Sequence, residues 1–199
     1  MALVAFLNVE GAFDNTSYNS IDKAARERGI DPNITKWISN MLKCRVVKSH
    51  LGSNSLKIRT TRGCPLAGVL SPLLWCLIMD DLIKKLEDAG FEVIGYADDI
   101  AIIVRGKDDS TISSRMQEAL NMIWNWCSGE NLTINPNKTV LIPFTRRRKH
   151  EVKPPTINGI EINFSSETKY LGVILDEKLS WKLHVEGMKA KAINSLMAC

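Results

Sequence analysis

Phe91 to Tyr96 and Ile100 to Val104 are apolar, β-compatible runs with only Ala97-Asp98-Asp99 between them. A link that short joins antiparallel neighbours, since a parallel pair needs a crossover of a dozen residues or more. Two adjacent carboxylates therefore stand at the tip of a hairpin with apolar arms. Their mutual repulsion costs stability unless a cation is bound beside them. The plainer alternative is a simple turn, where aspartate is common.

The rest of the chain supplies a frame for that hairpin. Ala2 to Val9 is a strand, broken by Gly11 and Asn15. Helical periodicity runs through Ile21 to Arg28, stopped by Gly29, and through Ile34, Trp37, Ile38, Met41 and Leu42. Arg45 to Leu51 and Ser55 to Thr61 are two strands around Gly52-Ser53-Asn54. Ser71-Pro72 opens a helix that continues to Gly90, with the Ser71 hydroxyl as its cap. Ser110 to Cys127 is an amphipathic helix with Met116, Leu120, Ile123, Trp124 and Cys127 on one stripe, and Thr139 to Phe144 is a further strand.

Without the insert at residues 17–70, the order is strand, helix, strand, strand, helix, strand. That order predicts an α+β fold, the split βαβ or ferredoxin-like antiparallel sheet with helices on one face. It brings the loop after the first strand, Asn8 to Asp14, to the same sheet end as Asp98 and Asp99. Beyond it come a basic connector (Arg146, Arg147, Arg148, Lys149) with Pro154-Pro155 and a hairpin in Ile157 to Phe164 around Asn158-Gly159. Lys169 to Leu175 is one more strand, and a helix runs from Trp181 to the end. Trp37, Trp124 and Trp181 are assigned to packing, and Asp80-Asp81, on a helix with no partner segment, to no chemical role. The expected division is residues 1–145 as one domain and 146–199 as an appendage.

Charge is informative by position. The formal net charge is +4, yet residues 1–141 are balanced, so the whole excess lies in residues 142–199. Between Asp31 and Asp80 there is no acidic residue, while Lys36, Lys43, Arg45, Lys48, Lys57, Arg59 and Arg62 fall there. Such a run is either a solvated surface or a surface that faces phosphates. For nucleic acid held this way, affinity falls steeply with salt through counterion release. The longest apolar runs, Leu3 to Leu7 and Leu73 to Met79, are far shorter than the roughly 18–20 residues of a membrane span, so no membrane partner is expected. The five cysteines form no CxxC pair and the three histidines stand far apart, which argues against zinc. An odd cysteine count without a leader fits a reducing, intracellular compartment, nuclear or cytoplasmic, and not secretion.

At the motif level, Tyr96-Ala97-Asp98-Asp99 resembles the YADD box of reverse transcriptases. Arg62-Gly63-Cys64-Pro65 with Gly68-Val69-Leu70-Ser71-Pro72 resembles the motif that precedes it, and Glu10-Gly11-Ala12-Phe13-Asp14 the family's first aspartate motif. Asn135 to Thr139 resembles the lysine-bearing fourth motif. Tyr170-Leu171-Gly172-Val173 with Asp176, Leu179, Trp181 and His184 is similar to a segment of non-LTR, LINE-like retrotransposons of the jockey and R1 type.

The resemblance implies the palm of an RNA-directed DNA polymerase, with the start of a thumb after the basic connector. It implies two ions, Mg²⁺ or Mn²⁺, held by Asp98, Asp99, residue 8 and the Val9 backbone, with RNA template, DNA primer and deoxynucleoside triphosphates as partners. Gly11, Ala12, Phe13, Leu66, Ala67, Gly68 and Tyr96 would line the nucleotide, with Phe13 under its sugar; the alternative for Phe13 is a core ring. Lys138 would help pyrophosphate leave, or is a surface lysine. Lys48, Lys57, Arg59, Arg62 and Arg146 to Lys149 would contact nucleic acid.

Three departures stand out. The family has aspartate where this chain has Asn8, the loss of a charge worth on the order of 4 kcal/mol at ~4 Å and an effective dielectric of ~20. Leu66-Ala67 replaces glutamine and glycine. The chain starts at the first aspartate motif, so fingers, an endonuclease and most of a thumb are expected outside it. These departures pit a polymerase of impaired activity against a palm remnant that at most binds nucleic acid. A nucleotide cyclase or another two-metal enzyme on a similar sheet leaves the Gly63 to Pro72 segment unexplained.

Overall fold

The computed structural model describes residues 1–52, 54–65, 68–147 and 151–197. Leu66, Ala67, Arg148 and Lys149 lie outside the described residues. In chain order the first elements are β1 (Ala2–Glu10), α1 (Ala12–Asn15), α2 (Tyr18–Glu27), α3 (Pro32–Lys43), β2 (Val46–Leu51) and β3 (Asn54–Arg59). They are followed by α4 (Ser71–Asp88), β4 (Glu92–Tyr96), β5 (Asp99–Arg105), α5 (Asp109–Gly129), β6 (Thr133–Ile134) and β7 (Val140–Phe144), with a short 3₁₀ turn at Pro136–Lys138 before β7. The chain continues through β8 (Thr156–Ile157), β9 (Ile160–Glu161), β10 (Glu167–Tyr170), β11 (Val173–Asp176) and α6 (Lys182–Met197).

β1 is the central strand because it is apolar on both sides. Leu3, Ala5, Leu7 and Val9 enter the main core, and Val4 and Phe6 enter a second cluster on the opposite face. One flank of β1 pairs with β5, which pairs in turn with β4; the other flank takes β7 and, at its far end, β6. Every pairing is antiparallel. The expected split βαβ sheet is what forms. α4 and α5 cover one face through buried Leu74, Trp75, Ile78, Leu82 and Leu86 and through Ile112, Met116, Leu120 and Ile123. Each such side chain contributes about 1.5–3 kcal/mol on burial. The other face is covered only in part, by Tyr170 and Leu175 of the β10–β11 hairpin. Val152, Ile157 and Ile162 join the main core, so the segment after the basic connector packs with the layer that precedes it.

Local chemistry sets the element ends. Asp31 accepts from the N–H groups of Asn33 and Ile34 ahead of Pro32, and Asp108 accepts from the Thr111 N–H and from the Ser110 and Thr111 hydroxyls. Those bonds hold the Asp108 carboxyl down at about 2. A depressed carboxyl stabilises the fold above its ordinary, unfolded value near 3.8 and loses that contribution as pH falls toward 2. Asp108→Ala is therefore expected to melt lower than the parent at neutral pH, with the gap closing between pH 4 and pH 2 in a melting series.

Four readings are corrected by the structure. Ser71 is the first residue of α4, not its cap; its buried hydroxyl donates to the Pro65 carbonyl at 2.6 Å. Lys169 to Leu175 is not one strand but the β10–β11 hairpin, turned at Leu171 and Gly172, both with positive φ. Trp37 and Trp181 do not pack into the core and are 59% and 50% exposed. Trp124 does pack against it, partly buried.

Candidate active site

Tyr96 pairs with Asp99 across the β4–β5 hairpin, leaving Ala97 and Asp98 as a two-residue loop. Ala97 adopts the left-handed conformation, φ 52°, which a residue with a Cβ holds only when its surroundings impose it. Two bonds impose it. The Trp75 indole N–H donates to the Ala97 carbonyl at 2.7 Å, and the Val9 N–H donates to the Asp98 carbonyl at 3.1 Å. α4 and β1 thus grip the turn from two sides. Trp75→Phe keeps an aromatic side chain but leaves that carbonyl unpaired, at an expected cost of about 1–3 kcal/mol in denaturant melts, with a further loss from the space the indole filled.

The grip delivers the carboxylates to Asn8, the register partner of Asp99. The Asn8 amide nitrogen donates to Asp98 Oδ2 at 2.8 Å and to Asp99 Oδ1 at 3.4 Å. One neutral NH₂ group therefore spans two carboxylates. By strand alternation Asn8 and Asp99 lie on the partly covered sheet face, in line with Phe6 and Ala101, and the Asp98 carboxylate reaches them from the loop. Tyr96, on the same face, is 64% exposed. The Tyr170 hydroxyl is held above the usual phenol range by burial and by the nearby Asp99 charge. Two carboxylates and an amide oxygen are hard donors suited to Mg²⁺ or Mn²⁺. Among the described residues, no third His, Cys, Asp or Glu joins them.

The adjoining loop is built from the end of β1. Gly11 turns the chain at φ 58°, Ala12 is buried, and the half-buried Phe13 ring leans on Trp75 with centroids 6.0 Å apart. Arg62 to Pro65 is strapped across this loop. The Gly63 N–H donates to the Thr16 carbonyl at 2.7 Å and the Cys64 N–H to the Phe13 carbonyl at 2.6 Å. Gly68 follows, its N–H on the Pro65 carbonyl at 3.0 Å. At the other flank of β1, Lys138 Nζ and Asn135 Nδ2 both donate to Glu10 Oε1, at 2.8 and 2.9 Å. Those two donors hold the Glu10 carboxyl below the usual carboxylate range.

Sequence reasoning missed Trp75, Glu10 and the role of Arg45. Trp75 lay inside an apolar run, and its signal was the N–H that a buried indole must satisfy. Arg45 belonged to the unopposed basic run, but its guanidinium donates to the Gly63 carbonyl at 2.6 Å and so braces the strap.

The basic residues divide into two places. Lys48 stands opposite Lys57 in the β2–β3 hairpin, and Arg59 opposite Val46. Alternation puts Lys48, Lys57 and Arg59 on one exposed face, and Val47, Leu51, Leu56 and Ile58 on the other. Arg62 continues from the base of this hairpin, its backbone bridged to Ser17. Arg146 and Arg147 lie past β7 at the opposite end of the sheet, because Phe144 pairs with Ala2 and not with Asn8. Arg147 is engaged there by Asp109 and by the Lys107 carbonyl, while Arg146 is exposed. The two basic groups do not form one continuous surface.

A split βαβ sheet with paired aspartates on the turn between its middle strands, met by the end of the first strand, defines a polymerase palm. Residues 2–175 match the family model of reverse transcriptase (RNA-dependent DNA polymerase), and the chain belongs to that family. It is 28% identical, over its full length, to a Pol polyprotein from the type-1 retrotransposable element R1 of Bradysia coprophila. Over 94% of its length it is 25% identical to the RNA-directed DNA polymerase from the mobile element jockey of Drosophila melanogaster. These relatives bear out the likeness to non-LTR retrotransposons; the chain spans 20% and 21% of their lengths. Apo telomerase from Candida tropicalis shares the fold with a TM-score of 0.61 at 15% identity, over 91% of this chain and 35% of that one. The reverse transcriptase family generally uses divalent metal ions.

Proposed function

We propose that this chain is the palm of an RNA-directed DNA polymerase of a non-LTR retrotransposon, throttled by Asn8 in the place of the first aspartate. The observation that carries the reading is the cross-strand cluster of Asn8, Asp98 and Asp99 on a turn gripped from two sides. Two divalent ions, Mg²⁺ or Mn²⁺, would activate the primer 3′-hydroxyl and neutralise charge on the leaving pyrophosphate. Asp98 and Asp99 would hold them, with the Asn8 amide oxygen and the Val9 backbone completing the set. Gly11, Ala12, Phe13 and Gly68 would shape the nucleotide site, with Leu66 and Ala67 in the segment between Pro65 and Gly68. The basic face of the β2–β3 hairpin, with Lys48, Lys57, Arg59 and Arg62, would take the backbone of template or primer. Palm function falls to residues 1–145, and residues 146–199 lead toward a thumb.

The second reading, a palm that binds nucleic acid without catalysis, is favoured by the Asn8 amide, which gives each carboxylate a donor without a cation. Primer extension on an RNA template, in Mg²⁺ and then in Mn²⁺, separates the two. The expected result is slow, template-dependent extension that Asp98→Ala abolishes. Extension that survives Asp98→Ala, or none from either the parent or Asn8→Asp, would leave only the binding module.

A further inference from the structure

Glu10 is two residues beyond Asn8 on β1, so alternation carries its side chain onto the same sheet face, about 7 Å further along the strand. Its Oε1 receives both Lys138 Nζ and Asn135 Nδ2. Asn135 also builds the turn that carries the lysine. Its Oδ1 accepts from the Asn137 N–H, and its carbonyl accepts from the N–H groups of Lys138 and Thr139 and from the Thr139 hydroxyl. The lysine is thus presented on a stiff 3₁₀ turn set between two strands that pair with β1, β6 before it and β7 after it, and tied to β1 a third time through one carboxylate oxygen. The pair is open to solvent, with the Lys138 side chain 63% exposed and that of Glu10 34% exposed. An exposed pair of this kind contributes little to stability. It does, however, occupy a cation two residues along β1 from Asn8, on the flank where, on the polymerase reading, the phosphates of a bound nucleotide would extend.

We propose that Glu10 holds Lys138 in reserve: its carboxylate occupies the ammonium until the phosphates of an incoming nucleoside triphosphate take it over. Glu10 is then a positioning residue that sets triphosphate affinity, an inference resting on the polymerase reading above. Because the carboxylate competes with phosphate for one cation, removing its charge strengthens triphosphate binding, whereas removing the cation weakens it. The same chemistry could serve a phosphate of a nucleic-acid strand, so the test carries both ligands.

The experiment is calorimetric titration of dTTP with Mg²⁺, and separately of a single-stranded RNA, into the parent, Glu10→Gln, Lys138→Ala and the double variant, with melting curves to show that each is folded. The expected result is dTTP binding about two- to fivefold tighter in Glu10→Gln, the scale of an exposed ion pair. Binding should be weaker in Lys138→Ala, with the Glu10→Gln gain absent from the double variant. A gain that persists without Lys138 would be the general field of a lost negative charge and would overturn the proposal. So would an unchanged or weaker Glu10→Gln, or a gain for RNA with none for dTTP; in those cases the polymerase reading stands. Failure of every one of these forms to bind dTTP, and of Asn8→Asp titrated alongside them, would remove that reading together with this one.

Discussion

Asn8→Asp speeds RNA-templated primer extension by about three orders of magnitude and at the same time makes the metal-free protein less stable. Both effects come from one group. In the parent, the Asn8 amide hydrogens lie on Asp98 and Asp99, so each carboxylate has one donor without a cation. To offer its oxygen to an ion, the amide must turn over and surrender both bonds, and even then it brings no charge. An aspartate brings a full charge, worth on the order of 4 kcal/mol at ~4 Å and an effective dielectric of ~20. At about 1.4 kcal/mol per decade of rate, that corresponds to roughly a thousandfold. Without metal the same carboxylate faces two others and loses two hydrogen bonds, a destabilisation of about 1–3 kcal/mol. Mass action reverses this loss once an ion binds only the folded state. The expected melting curves are a variant below the parent in EDTA, with a larger rise than the parent in Mg²⁺ or Mn²⁺. Equal melting in EDTA and no response to either ion would show that residue 8 does not govern cation binding.

The parts of this architecture legible in the sequence are those set by local pattern. β1 could be found because a strand buried on both faces is an uninterrupted apolar run, and the β4–β5 hairpin because its link is too short for any other connection. Those elements, with two helices of the right length, define the sheet order and so the meeting of Asn8 with the aspartates. What stayed hidden depends on partners distant in the chain or on backbone conformations that side chains signal poorly. Glu10 and Lys138 are 128 residues apart, and neither carries a mark of the other. Leu171 sits at φ 48°, where a leucine is a weak signal, so the pattern of residues 169–175 reads as one strand through the β10–β11 turn. Ser71 has the chemistry of a cap, but Pro65 competes for its hydroxyl, and helix patterning does not reveal that competitor. Trp37 lies on an apolar helical stripe, and periodicity cannot distinguish a stripe facing the core from one left open to solvent.

Gly63→Ala is expected to be the most damaging small substitution outside the core, at about 3 kcal/mol or more. Gly63 has φ 85°, a conformation that disfavours any Cβ. An added Cβ would also stand 2.7 Å from the Asp14 carbonyl oxygen and 3.1 Å from that of Phe13. Those atoms are backbone and cannot rotate away. They belong to the loop that the strap holds through the bonds from Gly63 to Thr16 and from Cys64 to Phe13, with Arg45 bracing the Gly63 carbonyl. Relief of the clash therefore moves the strap and the Phe13 loop apart. The control is Gly29→Ala, at φ 68° with nothing within 4 Å of the new Cβ, which carries the conformational penalty alone, about 1–2 kcal/mol. The difference between the two variants in denaturant melts measures the clash. Near-equal losses would mean that the strap yields easily and does not fix Phe13. A much larger loss at Gly63, with dTTP affinity falling in the same variant while RNA affinity holds, would tie the strap to the nucleotide side of the palm.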